Sequence, residues 1–151
     1  MQDILTCAMG LDIHRDVIVA CLAKGELGAD PEIEIRSFST LIPEMRKLRD
    51  WVLEAECHHV AMESTGIYWQ PIYEMLEPCF DGQISILVVN ARHMKNVPGR
   101  KTDMRDAQWI ATLLRAGLLK GSFIPDKTFR ELRHLTRYRK SIVHDLSLIH
   151  I

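Results

Sequence analysis

Apolar and polar positions sort most of this chain into elements. From Ile4 to Asp12 nearly every residue is apolar apart from Thr6, as in a strand buried on both faces. A second apolar run, Val17 to Ala23, follows the short polar turn His14-Arg15-Asp16, so the two read as a hairpin. Lys24 to Pro31 is a glycine-containing turn. Glu32 to Phe38 then alternates, Ile33, Ile35 and Ser37 against Glu32, Glu34 and Arg36, which predicts a half-exposed third strand. After Phe38 the period changes. Met45, Leu48, Val52 and Ala55 fall on one helical stripe, predicting a helix capped by Ser39 or Thr40, with Pro43 in its first turn, that runs to about Glu56. His59 to Met62 is a short strand. Trp69, Ile72, Tyr73 and Leu76 are spaced i, i+3, i+4, i+7, so a helix runs from about Tyr68 to Leu76 and ends at Pro78 and Asp81-Gly82. Ile84 to Val89 is a fifth strand. Asn90 to Thr102, basic and carrying Pro98-Gly99, reads as an irregular loop. A helix from Asp103 to about Ala116, a loop to Pro125 and a basic helix from Asp126 or Lys127 complete the chain.

Three strands, helix, strand, helix, strand, helix is an α/β order with a mixed sheet. It is the order of the ribonuclease H-like fold, expected over residues 1–120, with a basic helix over 121–145. Residues 146–151 stop mid-helix without a cap signal and are expected to be a truncation point or an appended tail. A chain of 151 residues with 47% hydrophobic content can build one domain with a core. No apolar run nears the ~20 residues of a membrane span, and no secretory leader is visible. Cys7, Cys21, Cys57 and Cys79 form no C-x-x-C pair and read as reduced core residues of a cytoplasmic protein. Cys57-His58-His59 does not read as zinc: adjacent strand residues face opposite ways, and no second ligand pair follows.

Charge changes the picture. Residues 1–90 hold six Lys/Arg against 15 Asp/Glu, net −9, and residues 91–151 hold 13 against five, net +8. A basic part beside an acidic one fits a polyanion that is held while its backbone is cut. Four acids occupy strand ends or helix starts: Asp12, Glu63, Asp103 and Asp106. Taken singly, each also reads as a turn, a cap or a first-turn acid complementing the helix dipole. Together they map to one edge of the expected sheet, and Asp103 and Asp106 share a helix face. Converging carboxylates repel unless a hard cation holds them, so the expected occupants are Mg²⁺ or Mn²⁺, two ions bridged by Asp12, and the expected substrates are phosphodiesters. Arg100, Lys101 and Arg105 are placed to touch phosphates, with Arg92, Lys95 and His93 in the same basic stretch. Tyr68, with Thr65 and Trp69, offers a surface for a nucleotide, although Trp69 reads better as packing. His14 is a candidate proton relay. Arg130, Arg133 and Arg137 share a face of the last helix, which reads as nucleic-acid-binding or oligomerising rather than merely solvated.

Three segments carry a family resemblance. Gly10-Leu11-Asp12-Ile13-His14, Met62-Glu63-Ser64-Thr65-Gly66-Ile67-Tyr68-Trp69 and Lys101-Thr102-Asp103-Met104-Arg105-Asp106-Ala107 closely resemble the DEDD-type insertion-sequence transposases, a family that includes the pilin-gene-inverting recombinases. The resemblance covers about residues 5–145 and implies a RuvC-like catalytic domain with Asp12, Glu63, Asp103 and Asp106 as Mg²⁺ ligands. It also implies DNA cleavage and strand exchange for transposition, a structured guide RNA, and homo-oligomers. Family members continue through a coiled coil into a second domain whose serine acts with the tetrad, so these 151 residues alone are expected to be catalytically incomplete.

Other readings remain. A structure-specific endonuclease of the Holliday-junction type would use the same carboxylates. A catalytically incomplete nucleic-acid-binding or dimerisation module would bind in the presence of chelator. An actin-like sugar kinase or chaperone ATPase also starts with Gly-X-Asp on a first strand, but it needs glycine-rich phosphate loops where this chain has His14-Arg15-Asp16.

Overall fold

The apolar runs become the strands of one sheet. In the computed structural model, which describes residues 2–63, 66–80, 85–96, 105–122, 124 and 127–149, these are β1 (Cys7–Ile13), β2 (Val17–Lys24), β3 (Glu32–Ser39), β4 (His59–Glu63) and β5 (Ser85–Val89). The order is β3-β2-β1-β4-β5. The first three strands pair antiparallel, and β1–β4 and β4–β5 pair parallel. Helices α1 (Ile42–Glu54), α2 (Trp69–Leu76), α3 (Ala91–Asn96), α4 (Asp106–Arg115) and α5 (Lys127–Ile149) accompany them, with a 3-10 turn at Glu77–Phe80. No described helix is long and apolar enough to cross a membrane.

Alternation along β1 gives the sheet two unlike faces. Met9, Leu11 and Ile13 point to a core of large side chains with Leu48, Trp51 and Val52 of α1 and Ile72 and Leu76 of α2. Trp51 joins this stripe although the expected one omitted it; Phe38 meets its ring at 6.1 Å between centroids. The opposite face is lined by small residues, Ala8, Cys21, Ala23 and Ala61, against Ala107, Ile110, Ala111 and Leu114 of α4. Gly10 seats that helix: a Cβ there would strike Ala107 O and Ala111 N, both backbone atoms that cannot swing aside.

Helix α4 runs antiparallel to β1. Its last carbonyl, Arg115 O, accepts from Ile4 N–H at 2.8 Å and Leu5 N–H at 3.0 Å. The Arg115 guanidinium donates to Asp3 Oδ2 at 2.8 Å and to the carbonyls of Gly25 and Glu26 at 3.1 and 3.2 Å. These bonds draw residues 4 and 5 out of the ladder, so β1 starts at Cys7 rather than Ile4.

Two further local expectations are corrected. The stretch after Asn90 is not wholly irregular: Asn90 Oδ1 accepts the Arg92 N–H at 2.9 Å, capping a helix that runs to Asn96. Neither Ser39 nor Thr40 caps α1. Its N-cap is Leu41 with no side-chain cap bond, and the Thr40 hydroxyl instead donates to Arg15 O at 3.0 Å. Helix α5 continues unbroken through residue 146 to Ile149.

Candidate carboxylate site

Strand direction gathers the acids. Strands β1 and β4 are parallel in the register Met9–Val60, Gly10–Ala61, Leu11–Met62. One step further sets Asp12 beside Glu63, on neighbouring strands about 4.8 Å apart. Both belong to the α4 face, because Ala8 and Ala61, an even number of residues earlier, pack there. Since α4 runs against β1 and lays Ala107 over Gly10, its first residue, Asp106, comes to the same edge. Asp106 is exposed and Glu63 half-buried, so this rim of the sheet opens to solvent. Asp103, Arg100 and Lys101 lie outside the described residues.

Asp12 is not a turn cap but a strand residue with one close partner: His14 Nε2 lies 2.9 Å from its Oδ2. Residues i and i+2 of an extended segment share a side, so the spacing Asp12-Ile13-His14 already held this pairing, which the sequence reading left unused. The Asp12 side chain is 15% exposed and His14 55%.

Carboxylate oxygens alone suit a hard divalent cation, and three of the four expected ligands share this edge. Among the described residues, no three His, Cys, Asp or Glu side chains stand close enough together to hold a metal ion. The donor chemistry therefore fits Mg²⁺ or Mn²⁺, while these residues as placed do not form a complete cage.

The basic candidates divide into two groups. Arg92 and Lys95, on α3, and Arg105, the N-cap of α4, are exposed. Strand β5 is parallel to β4, so α3 begins just past the same edge. His93 is committed, its Nε2 accepting the Lys120 N–H at 3.1 Å. On α5, Arg130 is buried. It donates to Glu77 Oε2 at 3.0 Å and lies 5.3 Å from the Tyr73 ring centroid, which pins α5 to the C-terminal half of α2. Arg133 and Arg137 are exposed, as is Tyr68 beside the start of α2; Trp69 packs edge-on against Tyr73. Glu77, which fixes Arg130, has no periodic signal in the sequence and was missed.

The opposite end of the sheet holds a different chemistry. Cys57, buried, has two acceptors for its thiol proton, His59 O at 3.2 Å and the Cys7 sulfur. The bond from Cys57 is the main cause that lowers the Cys7 thiol to about 7, against a smaller raising effect of burial. Burial pushes Cys21 up to about 11, and Cys57 is raised, chiefly by its bond to Cys7.

The family model of the IS110-type DEDD transposases, described as "Transposase", matches residues 9–150. None of the curated proteins compared matches the chain. Among solved structures, RuvC of Thermus thermophilus superposes with a TM-score of 0.51 at 13% identity, covering 77% of this chain and 99% of that one. The same RuvC in complex with a Holliday junction substrate gives 0.49 at 15% identity, with 77% and 99% covered. Fowlpox virus resolvase with its Holliday junction DNA gives 0.49 at 10%, with 73% and 96% covered. The first likeness shows the fold, a RuvC-like member of the ribonuclease H-like class, as the element order implied.

Proposed function

The chain belongs to the DEDD transposases, and on that premise we propose that Asp12, Glu63, Asp103 and Asp106 form the catalytic edge of a DNA strand-cleaving and strand-exchanging domain. The observation that carries this reading is the register that sets Asp12 beside Glu63 where α4 begins at Asp106. Asp12, central in the sheet, and Glu63 would hold Mg²⁺ or Mn²⁺ together with Asp103 and Asp106. When bound, such ions, two in this reading, supply a Lewis acid at the phosphate and a lowered pKa for the attacking water or hydroxyl.

The chain's own residues supply position. His14 fixes the Asp12 carboxylate through its 2.9 Å contact. Arg92, Lys95 and Arg105, with Arg100 and Lys101 between them in sequence, neutralise backbone phosphates around the edge, and Tyr68 offers a ring to a neighbouring base. Arg133 and Arg137 extend the basic surface along α5. Arg130, engaged by Glu77, anchors that helix and contributes less charge. In this reading residues 1–120 are the catalytic domain and residues 121–145 begin a helical arm. DNA is the substrate, and a structured guide RNA and a second copy of the chain complete the assembly.

Calorimetric titration of Mn²⁺ into this chain and into Asp12→Asn tests the assignment. Binding to the parent chain that is lost in the variant is the expected result. Equal binding by both removes Asp12 from the site, and binding by neither means that the site needs nucleic acid or a further domain to form, or that the four acids are not a metal site.

A further inference from the structure

The course of α5 creates a recess that the carboxylate edge does not use. Arg130 meets Tyr73 in the second half of α2 and Glu77 just past its end, while Arg133, His134 and Arg137, up to two turns later, share a recess with Trp69 and Gln70 at its start. Helix α5 therefore runs antiparallel to α2 and heads for the edge where β4 ends at Glu63. Between the helices, with Ile124, lies a recess of about 100 Å³. It has room for a few waters, the scale of one tetrahedral oxyanion.

Its charge is uncompensated. Glu77 neutralises Arg130, whereas Arg133 and Arg137 have no acidic partner within ion-pair distance among the described residues. Two guanidinium forks beside an indole match a phosphodiester in charge and in geometry. Position adds a constraint. Six residue steps separate Glu63 from Trp69, so the recess mouth lies at most about 22 Å from the carboxylate edge. A strand advancing about 3.4 Å per nucleotide covers that in about six nucleotides.

We infer that the α2–α5 recess binds a single backbone phosphate of a nucleic-acid strand, held by Arg133 and Arg137 beside Trp69, within about six nucleotides of the phosphodiester at the carboxylate edge. The inference rests on the proposed function only for where the strand is cut. Phosphate capture itself needs no metal. A uniformly basic helix would instead spread affinity over all its cations, including the exposed Arg139 and Lys140, which do not line the recess.

The test is a fluorescence titration of this chain with 12-nucleotide thymidine and uridine oligomers in EDTA. Trp51 and Trp109 are buried, so Trp69 is the responsive indole, and Trp69→Phe identifies its signal. Arg133→Ala/Arg137→Ala is compared with Arg139→Ala/Lys140→Ala, which removes the same charge. The recess pair should weaken binding tenfold or more, abolish the Trp69 response and lower the salt slope by about 0.7, the value of one single-strand phosphate contact. The other pair should cost less than threefold. Equal losses from the two pairs, or a Trp69 response that survives the recess pair, overturn the site. Arg133→Lys/Arg137→Lys keeps the charge on α5 and should fall between parent and double alanine; parent-like binding there overturns recognition by the guanidinium fork. Tighter thymidine binding assigns the phosphate to a DNA strand, and tighter uridine binding to an RNA strand. Asp12→Asn should leave this binding unchanged, so failure of the metal site and failure of the recess are read separately.

Discussion

Helix α4 ends at Arg115 in a guanidinium that is 1% exposed and held by Asp3, Gly25 O and Glu26 O; it begins at Asp106 on an exposed carboxylate beside the strand ends of Asp12 and Glu63. One end closes a charge in by surrounding it with partners. The other gathers acidic residues at an open rim. The same helix, about 15 Å long at about 1.5 Å per residue, thus separates a stabilising end from the proposed reactive one. Packing fixes the separation, because α4 can lie this close to β1 only over Gly10 and the alanines around it.

The largest effect should come from removing the seat they share. Gly10→Val places side-chain carbons against Ala107 O and Ala111 N, so α4 must lift from the sheet and both ends fail together. The expected cost exceeds the usual 1–3 kcal/mol of overpacking, at about 4 kcal/mol or more, read as loss of the cooperative urea transition. A variant with the parent's midpoint would show that α4 is not held by this contact. Next is Arg115→Ala, which strands Asp3 and two carbonyls and empties a buried site. Breaking a buried pair costs about 3–5 kcal/mol; Asp3, 23% exposed, can recover water, so about 3 is expected. The folded fraction should still bind Mn²⁺ like the parent. If metal affinity fell with stability, the two ends would be one unit rather than two.

The ease with which each end could be read in the sequence differs for the same physical reason. Strand runs such as Val17 to Ala23 and the stripe Met45, Leu48, Val52 are repeated local signals, and they give the sheet and α1 nearly at their true bounds. Asp12, Glu63 and Asp106 stand at the ends of such elements, where a hydrophilic residue breaks an apolar run, so the candidates were visible. What joins distant positions was not: Arg115 with Asp3, 112 residues apart, and Arg130 with Glu77, 53 apart, carry no periodicity. Helix α3 was hidden because its cap is a single asparagine in a stretch whose Pro98-Gly99 argued for a loop. Gly10, one glycine within an apolar strand, revealed its role only once α4 lay on it.

Asp12→Asn tests the reactive end with a smaller energy. The amide can keep the contact with His14, which is mostly exposed, so unfolding should shift by less than about 1 kcal/mol. Metal affinity and metal-dependent strand cleavage should each fall by about 100-fold or more, beyond the 10- to 100-fold of an outer-shell change. Loss of folding in parallel would mean that Asp12 serves the sheet, as Arg115 does.

The smallest effect belongs to Cys7, at the stabilising end. Its thiol, lowered to about 7 chiefly by the Cys57 hydrogen bond, is a thiolate above that pH. Thiolate is the reactive form, so iodoacetamide should modify half-buried Cys7 at a rate that rises through pH 7 and levels off near pH 8. Cys21, raised to about 11 and buried, should still be gaining reactivity at the highest pH the fold tolerates. Cys57→Ala removes the donor that lowers Cys7, so the midpoint should climb toward the ordinary 9.0. Mn²⁺ binding should not respond to either change, because the thiols and the carboxylates lie at opposite ends of β1. A Cys7 midpoint unmoved by Cys57→Ala would assign the lowering to Lys24, His58 and Arg115 instead, and make this end of the sheet an electrostatic site rather than a hydrogen-bonded one.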